Sequence, residues 1–180
     1  MERIGAAAKC SPPLRPVAER DALRQRLLAG EIDLIASDHS PSSPELKCAP
    51  DFFDIWGGIA GVQSTLAVLL EAHHRDGLPL AEIVRMTAET PAARFRIAGK
   101  GKLAPGYDAD LALVDLDAGF TLAPEDLQQR HRSSPYLHSP FRGRVERTLL
   151  RGQTIFHQRR ITAHGCGRWV RPSQESSCSS

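Results

Sequence analysis

Apolar and polar positions divide the chain into short blocks. Between residues 18 and 29, Ala22, Leu23, Leu27 and Leu28 recur at helical spacing, and Gly30 supplies a C-terminal stop. Ile32 to Ala36 is an apolar run too short for a helix and is cut off by Ser37-Asp38-His39-Ser40-Pro41, which predicts a short buried strand. Residues 39–58 form a long Pro- and Ser-containing loop that ends at Trp56-Gly57-Gly58. From Ile59 to His74, the positions Val62, Leu66, Leu69 and Leu70 mark an amphipathic helix closed by Gly77. Pro79 to Ala88 predicts another helix with Pro at its first position, and Thr90-Pro91 opens a separate short one. Helix, strand, long loop and helix in this order suggest a repeating βα unit.

The pattern changes near residue 98. Gly99 to Asp110 is a glycine-rich turn before a predicted strand, Leu111 to Leu116. A phosphate-binding loop is a poor reading of it, because the lysine spacing is wrong and a strand follows where a helix is needed. Asp108 and Asp110 read as turn formers. Residues 125–131 read as one polar helical turn, and Ser133 to Tyr136 and Ser139 to Phe141 as loop. Val145 to Leu150, a turn at Gly152, and Thr154 to Phe156 predict a hairpin. The expected organisation is a first domain over 1–97, a β-rich domain over 98–164 and a disordered tail over 165–180.

Composition narrows the classes. The chain has 180 residues and a formal net charge of +2. That is enough for a domain with a core, but short of the roughly 250 residues of a complete (β/α)8 barrel. The near-neutral balance argues against nucleic acid as the main partner. No apolar run approaches the roughly 20 residues of a membrane span, and the N-terminus lacks an apolar signal core. Cys10, Cys48, Cys166 and Cys178 show no zinc or redox spacing and read as free thiols of a cytoplasmic protein.

Candidate chemistry centres on Asp38. A carboxylate at the C-terminal end of a buried strand is where barrel enzymes place catalytic groups, and it suits a metal or a proton transfer. The simpler reading is that Asp38 and Ser40 cap the following loop. Lys9 to Pro16 holds three prolines and reads as a stiff β-to-α loop, with or without a ligand beside it. Gly57-Gly58 lets backbone approach a ligand closely, while Phe52, Phe53 and Trp56 read as a cover for a barrel mouth. His73 and His74 are adjacent on a helix and make a poor chelate. His131, His138, His157 and His164 have no metal-ligand spacing and read as surface residues.

Several ordered motifs carry a family resemblance. Lys9-Cys10-Ser11-Pro12-Pro13-Leu14-Arg15, Ser37-Asp38-His39-Ser40-Pro41, Pro44-Glu45-Leu46-Lys47 and Trp56 to Gln63 together resemble the C-terminal part of the allantoinases. These are cyclic amidohydrolases, as are hydantoinases (dihydropyrimidinases) and dihydroorotases. The resemblance runs from about residue 3 to about residue 162, and Gly101 to Asp110 fits the turn by which such chains leave the barrel. It implies an α/β fold: the C-terminal part of a (β/α)8 barrel, then part of a small β-sandwich. It also implies hydrolysis of the cyclic amide of allantoin to allantoate, two divalent ions (zinc, cobalt or similar), and a homo-oligomer when complete. In the resembled family the ligands are a His-x-His pair, a carboxylated lysine, two further histidines and one aspartate. Asp38 matches that aspartate, which there also delivers the proton to the departing amide nitrogen. The backbones of Ser11 and Gly57 match substrate contacts, and His39 matches a supporting neighbour. No His-x-His occurs in this chain, so the other ligands have no counterpart and the chain by itself is expected to be inactive. Ser-Pro after Asp38-His39, together with Gln63, favours allantoinase over hydantoinase or dihydroorotase. A non-catalytic remnant that associates with a partner subunit is the alternative of a different class.

Overall fold

The computed structural model describes residues 4–173. The described residues fold as two compact units, one made of 4–31, 36–78 and 116–144, the other of 32–35, 79–115 and 145–173.

In the first unit, α1 (Val17–Leu28) and α2 (Thr65–Asp76) are the longest helices. Helix α1 begins after Pro16 and buries none of its residues; Leu23 is 60% exposed. The predicted apolar stripe is therefore present and uncovered among the described residues. Helix α2 buries Leu69 and Leu70 and stops where Gly77 takes φ +75°, a left-handed conformation that glycine adopts without steric cost. Arg24 of α1 pairs with the Asp76 carboxylate at the end of α2. A small apolar core forms from Leu122, Leu127 and Phe141, with Phe120, Tyr136 and Ala67 against it. The Phe120 and Phe141 rings stack at 5.5 Å between centroids.

In the second unit the helical segment over residues 80–94 is continuous. Helix α3 (Leu80–Val84) runs through a π-turn (Arg85–Glu89) into α4 (Thr90–Arg94), where the sequence predicts two separate helices. Pro91 explains the wide turn. It has no N–H for the ordinary helical bond and crowds the preceding turn, so the chain opens one turn and Thr90 N–H donates to the Arg85 carbonyl instead. Ile83, Met86 and Ala92 are the buried side chains of this segment.

Four strands make one sheet in the order β1-β2-β3-β4: Leu111–Thr121, Pro140–Leu150, Gln153–His157 and Arg160–Ile161. The pairs β2–β3 and β3–β4 are antiparallel. The first two strands are longer than expected. Pro140 and Phe141, predicted as loop, open β2, because Phe141 is the aromatic that the local core buries. The β2–β3 hairpin forms as predicted, with Arg151 and Gly152 both at positive φ, the geometry that matches strand twist. Residues 125–131 yield only a short 3₁₀ turn, Pro124–Asp126.

Ile32 to Ala36 is a second departure. It has no regular structure and no ladder partner among the described residues, and Ile32, Leu34 and Ile35 are half-buried, not buried. A parallel strand exists only through the bonds of its neighbours. Here the Ile35 N–H donates to the Met86 carbonyl at 3.2 Å, and Arg85 donates to the carbonyls of Ile32 and Asp33. Of the predicted tail, residues 165–173 carry no regular structure, Ser173 bonds the Arg96 carbonyl, and 174–180 lie outside the described residues.

Candidate active site

The site is built in the first unit from three backbone segments: residues 9–11, 37–40 and 55–62. Asp38 is exposed, two residues after the apolar run that ends at Ala36. The segment around it lies tightly against the glycines that follow the long loop. The Ser40 N–H donates to the Ile59 carbonyl at 2.9 Å. A Cβ on Gly58 would stand 2.4 Å from Ser40 Oγ and 2.8 Å from the Ser40 carbonyl oxygen, and one on Gly61 would stand 2.5 Å from Ser37 Oγ. At Gly58 the Ser40 backbone oxygen leaves room for glycine alone, whereas at Gly61 the Ser37 hydroxyl could turn aside. The Trp-Gly-Gly and Ala-Gly patterns are legible in the sequence; what their glycines pack against is not.

His39 has a defined role in this arrangement. Its Nδ1 accepts from the N–H groups of Gly61 and Val62, at 3.2 and 3.3 Å, just before α2. A neutral ring that accepts at Nδ1 carries its proton on Nε2, so the tautomer follows from the bonds. The histidine beside Asp38 thereby ties the Asp38 segment to the start of α2. Gln63 ties the same turn to residues 126–128, donating to the Asp126 carbonyl and accepting from the Gln128 N–H.

Ser11 and Gly57 come together. A Cβ on Gly57 would be 3.4 Å from Ser11 Cβ. Two lysines to which the sequence assigns no role hold their surroundings. Lys9 Nζ donates to the carbonyls of Phe52, Phe53 and Ile55 at 2.6, 3.0 and 2.6 Å. Lys47 Nζ donates to those of Lys9, Trp56 and Gly58 at 2.9, 2.9 and 2.7 Å. Burial lowers the pKa of Lys47 from the ordinary lysine value, as expected for an ammonium taken from water, and the nearby positive charge of Lys9 acts the same way. Phe53 is 88% exposed, and Phe52 and Trp56 are exposed as well.

The histidines stand as follows. His73 Nδ1 lies 2.7 Å from the Leu78 carbonyl, and its ring meets His74 edge-on, so it serves the end of α2. His138 and His164 are exposed, whereas His131 and His157 are half-buried. Cys10, Cys48 and Cys166 are free thiols, and Cys178 lies outside the described residues. Among the described residues no group of three or more His, Cys, Asp or Glu side chains could hold a metal ion. A stable metal site needs three or four ligands, so these residues alone do not fit one.

The sequence profile of the amidohydrolase family matches residues 4–155. The chain belongs to the amidohydrolase family. This amidohydrolase chain is 54% identical to an allantoinase of Solibacter usitatus over 171 residues, covering 94% of the chain and 37% of that protein. It is 49% identical to an allantoinase of Rubrobacter xylanophilus, covering 96% of the chain and 38% of the relative. Among solved structures it is similar to an L-hydantoinase (dihydropyrimidinase) from Arthrobacter aurescens, with TM-score 0.89, 31% identity, and coverage of 94% of this chain and 39% of that one. The amidohydrolase chain thus spans well under half the length of the curated relatives it matches.

Proposed function

We propose that this chain is the aspartate-bearing C-terminal part of an allantoinase, a cyclic amidohydrolase that opens the ring of allantoin to allantoate. The observation that carries the reading is the 54% identity to a protein named allantoinase, sustained over 94% of the chain. The likeness in shape to a hydantoinase at 31% identity fits the fold shared by both. The same reading assigns residues 1–97 to the barrel portion and 98–164 to a sandwich portion. Two divalent ions, a homo-oligomeric complete enzyme and a cytoplasmic location go with it.

Hydrolysis of a cyclic amide needs water to add to the carbonyl carbon and a proton for the nitrogen that leaves. Divalent ions supply water activation and carbonyl polarisation when bound. Asp38 is the ligand this chain contributes; the remaining ligands belong to barrel segments that it does not contain. Asp38 also accepts a proton as water adds to the carbonyl carbon, and returns it to the ring nitrogen as the C–N bond breaks. The backbones of Ser11 and Gly57, side by side, orient the ring. His39 holds the Asp38 segment in place through Gly61 and Val62.

The test is to join this chain behind the upstream part of the Solibacter usitatus allantoinase and follow allantoate formed from allantoin. Turnover by the fusion, with none by the 180-residue chain alone, is the expected result. A folded fusion that leaves allantoin untouched but opens hydantoin or dihydroorotate would move the assignment to those relatives. A folded fusion inert on all three would favour a non-catalytic remnant.

A further inference from the structure

We propose that Lys47 is a positioning residue that couples the backbone at Gly57 to the backbone just before Ser11. The inference rests on the reading that these two backbones face the substrate ring, and it names what holds them in register. Lys47 reaches across three segments. Its ammonium takes the carbonyls of Trp56 and Gly58, on either side of Gly57, and the carbonyl of Lys9, two residues before Ser11. An ammonium has three N–H donors, and all three are used. Its own backbone lies in a short 3₁₀ turn, Pro44–Lys47, and the neighbouring Leu46 carbonyl accepts from the Trp56 N–H at 2.8 Å. Lys9 completes the lock, because the residue whose carbonyl Lys47 holds donates its own ammonium to Phe52, Phe53 and Ile55. Each lysine thus places one loop on the other. Charged donors on neutral carbonyls make hydrogen bonds stronger than neutral ones, which suits a loop with few buried side chains. Ile55, whose carbonyl Lys9 holds, has a buried side chain.

The test uses the 180-residue chain and reads amide hydrogen exchange at Lys9 and Trp56, whose N–H groups donate to the Ala6 and Leu46 carbonyls at 3.0 and 2.8 Å beside the carbonyls that Lys47 holds. Lys47→Met keeps most of the stem and removes the donors. It is expected to speed exchange by about tenfold or more in both segments, while amides of residues 80–94 stay as they were. Lys47→Arg keeps charge and donors and is expected to restore part of the protection in both. Lys102→Met, which removes an exposed ammonium 3.7 Å from Glu89, is expected to change neither. A Lys47→Met effect confined to residues 55–58, or an Arg variant no better than Met, would overturn the coupling. In the unaltered chain, the Lys47 ammonium protons are expected to give a persistent ¹H–¹⁵N signal at neutral pH and room temperature, because their bonds slow exchange with water. Its absence would overturn the proposal even if the Met variant failed to fold. Coupled exchange together with an inert barrel-completed fusion would leave the lock standing and remove the functional reading.

Discussion

At the scale of residues, three side chains separate chemistry from scaffolding. On the proposed reading, Asp38→Asn in the barrel-completed fusion keeps the shape but loses the base, so the rate is expected to fall by about 10²–10⁴-fold. Parallel measurement of kcat on allantoin checks this. His73→Ala removes the contact with the Leu78 carbonyl at the end of α2. It is expected to lower stability by about 1 kcal/mol and to leave kcat unchanged. Gly58→Ala would drive a methyl group into Ser40, including its backbone oxygen, at distances no Cβ tolerates. Overpacking of this kind costs about 1–3 kcal/mol, which thermal unfolding of the variant would show. Asp38 can be picked out from sequence as a candidate because a carboxylate ending an apolar run is a local pattern. The roles of Lys9 and Lys47 cannot. Their partners are carbonyls up to 46 residues away, and a carbonyl has no residue identity to read.

Elements are legible where periodicity is local. Helix α1 and the β2–β3 hairpin lie where the spacing of apolar residues and glycines predicts them, and α2 ends near Gly77 as predicted but begins only at Thr65, after a short 3₁₀ turn at Val62–Ser64. The start of β2 at Pro140 is not legible because burial of Phe141 is decided by packing and not by period, and the merged helical segment 80–94 is not legible because a proline that opens a π-turn reads locally as the start of a new helix. The same contrast predicts stabilities. Met86, fully buried in the helical segment, should cost about 2–5 kcal/mol as Met86→Ala. Leu23→Gln on the uncovered face of α1 should stay within about 0.5 kcal/mol. The turn before β1 adds a pH signature. Burial works to raise the Asp110 pKa, but the hydrogen bonds from Lys100 and the Arg151 N–H outweigh it, and the net shift is downward. A carboxylate with a depressed folded pKa contributes stability that is present above its unfolded value, near 4, and is lost as pH falls through the folded value. Asp110→Asn should therefore flatten the fall in stability below about pH 4. Lys100 shifts the other way, chiefly through its hydrogen bonds to Asp108 and Asp110, so its contribution is lost only as pH rises past the ordinary lysine range.

At the scale of the whole molecule, the chain exposes Leu14, Val17, Leu23, Phe53, Trp56 and Val62. The apolar run that leads to Asp38 forms no strand and has none paired with it among the described residues. Uncovered apolar side chains and unpaired strand groups favour association. Light scattering on the purified 180-residue chain is expected to show self-association, and a monodisperse monomer would count against it. A single carboxylate where three or four ligands are needed predicts less than one tightly held divalent ion per chain after dialysis. The most direct test of the central claim, that this is the aspartate-bearing part of an allantoinase, is allantoate formation by the fusion with and without Asp38→Asn. The prediction is turnover by the fusion, loss of it in the variant, and none by the 180-residue chain. Turnover by the 180-residue chain alone, or a fusion indifferent to the loss of Asp38, would contradict it.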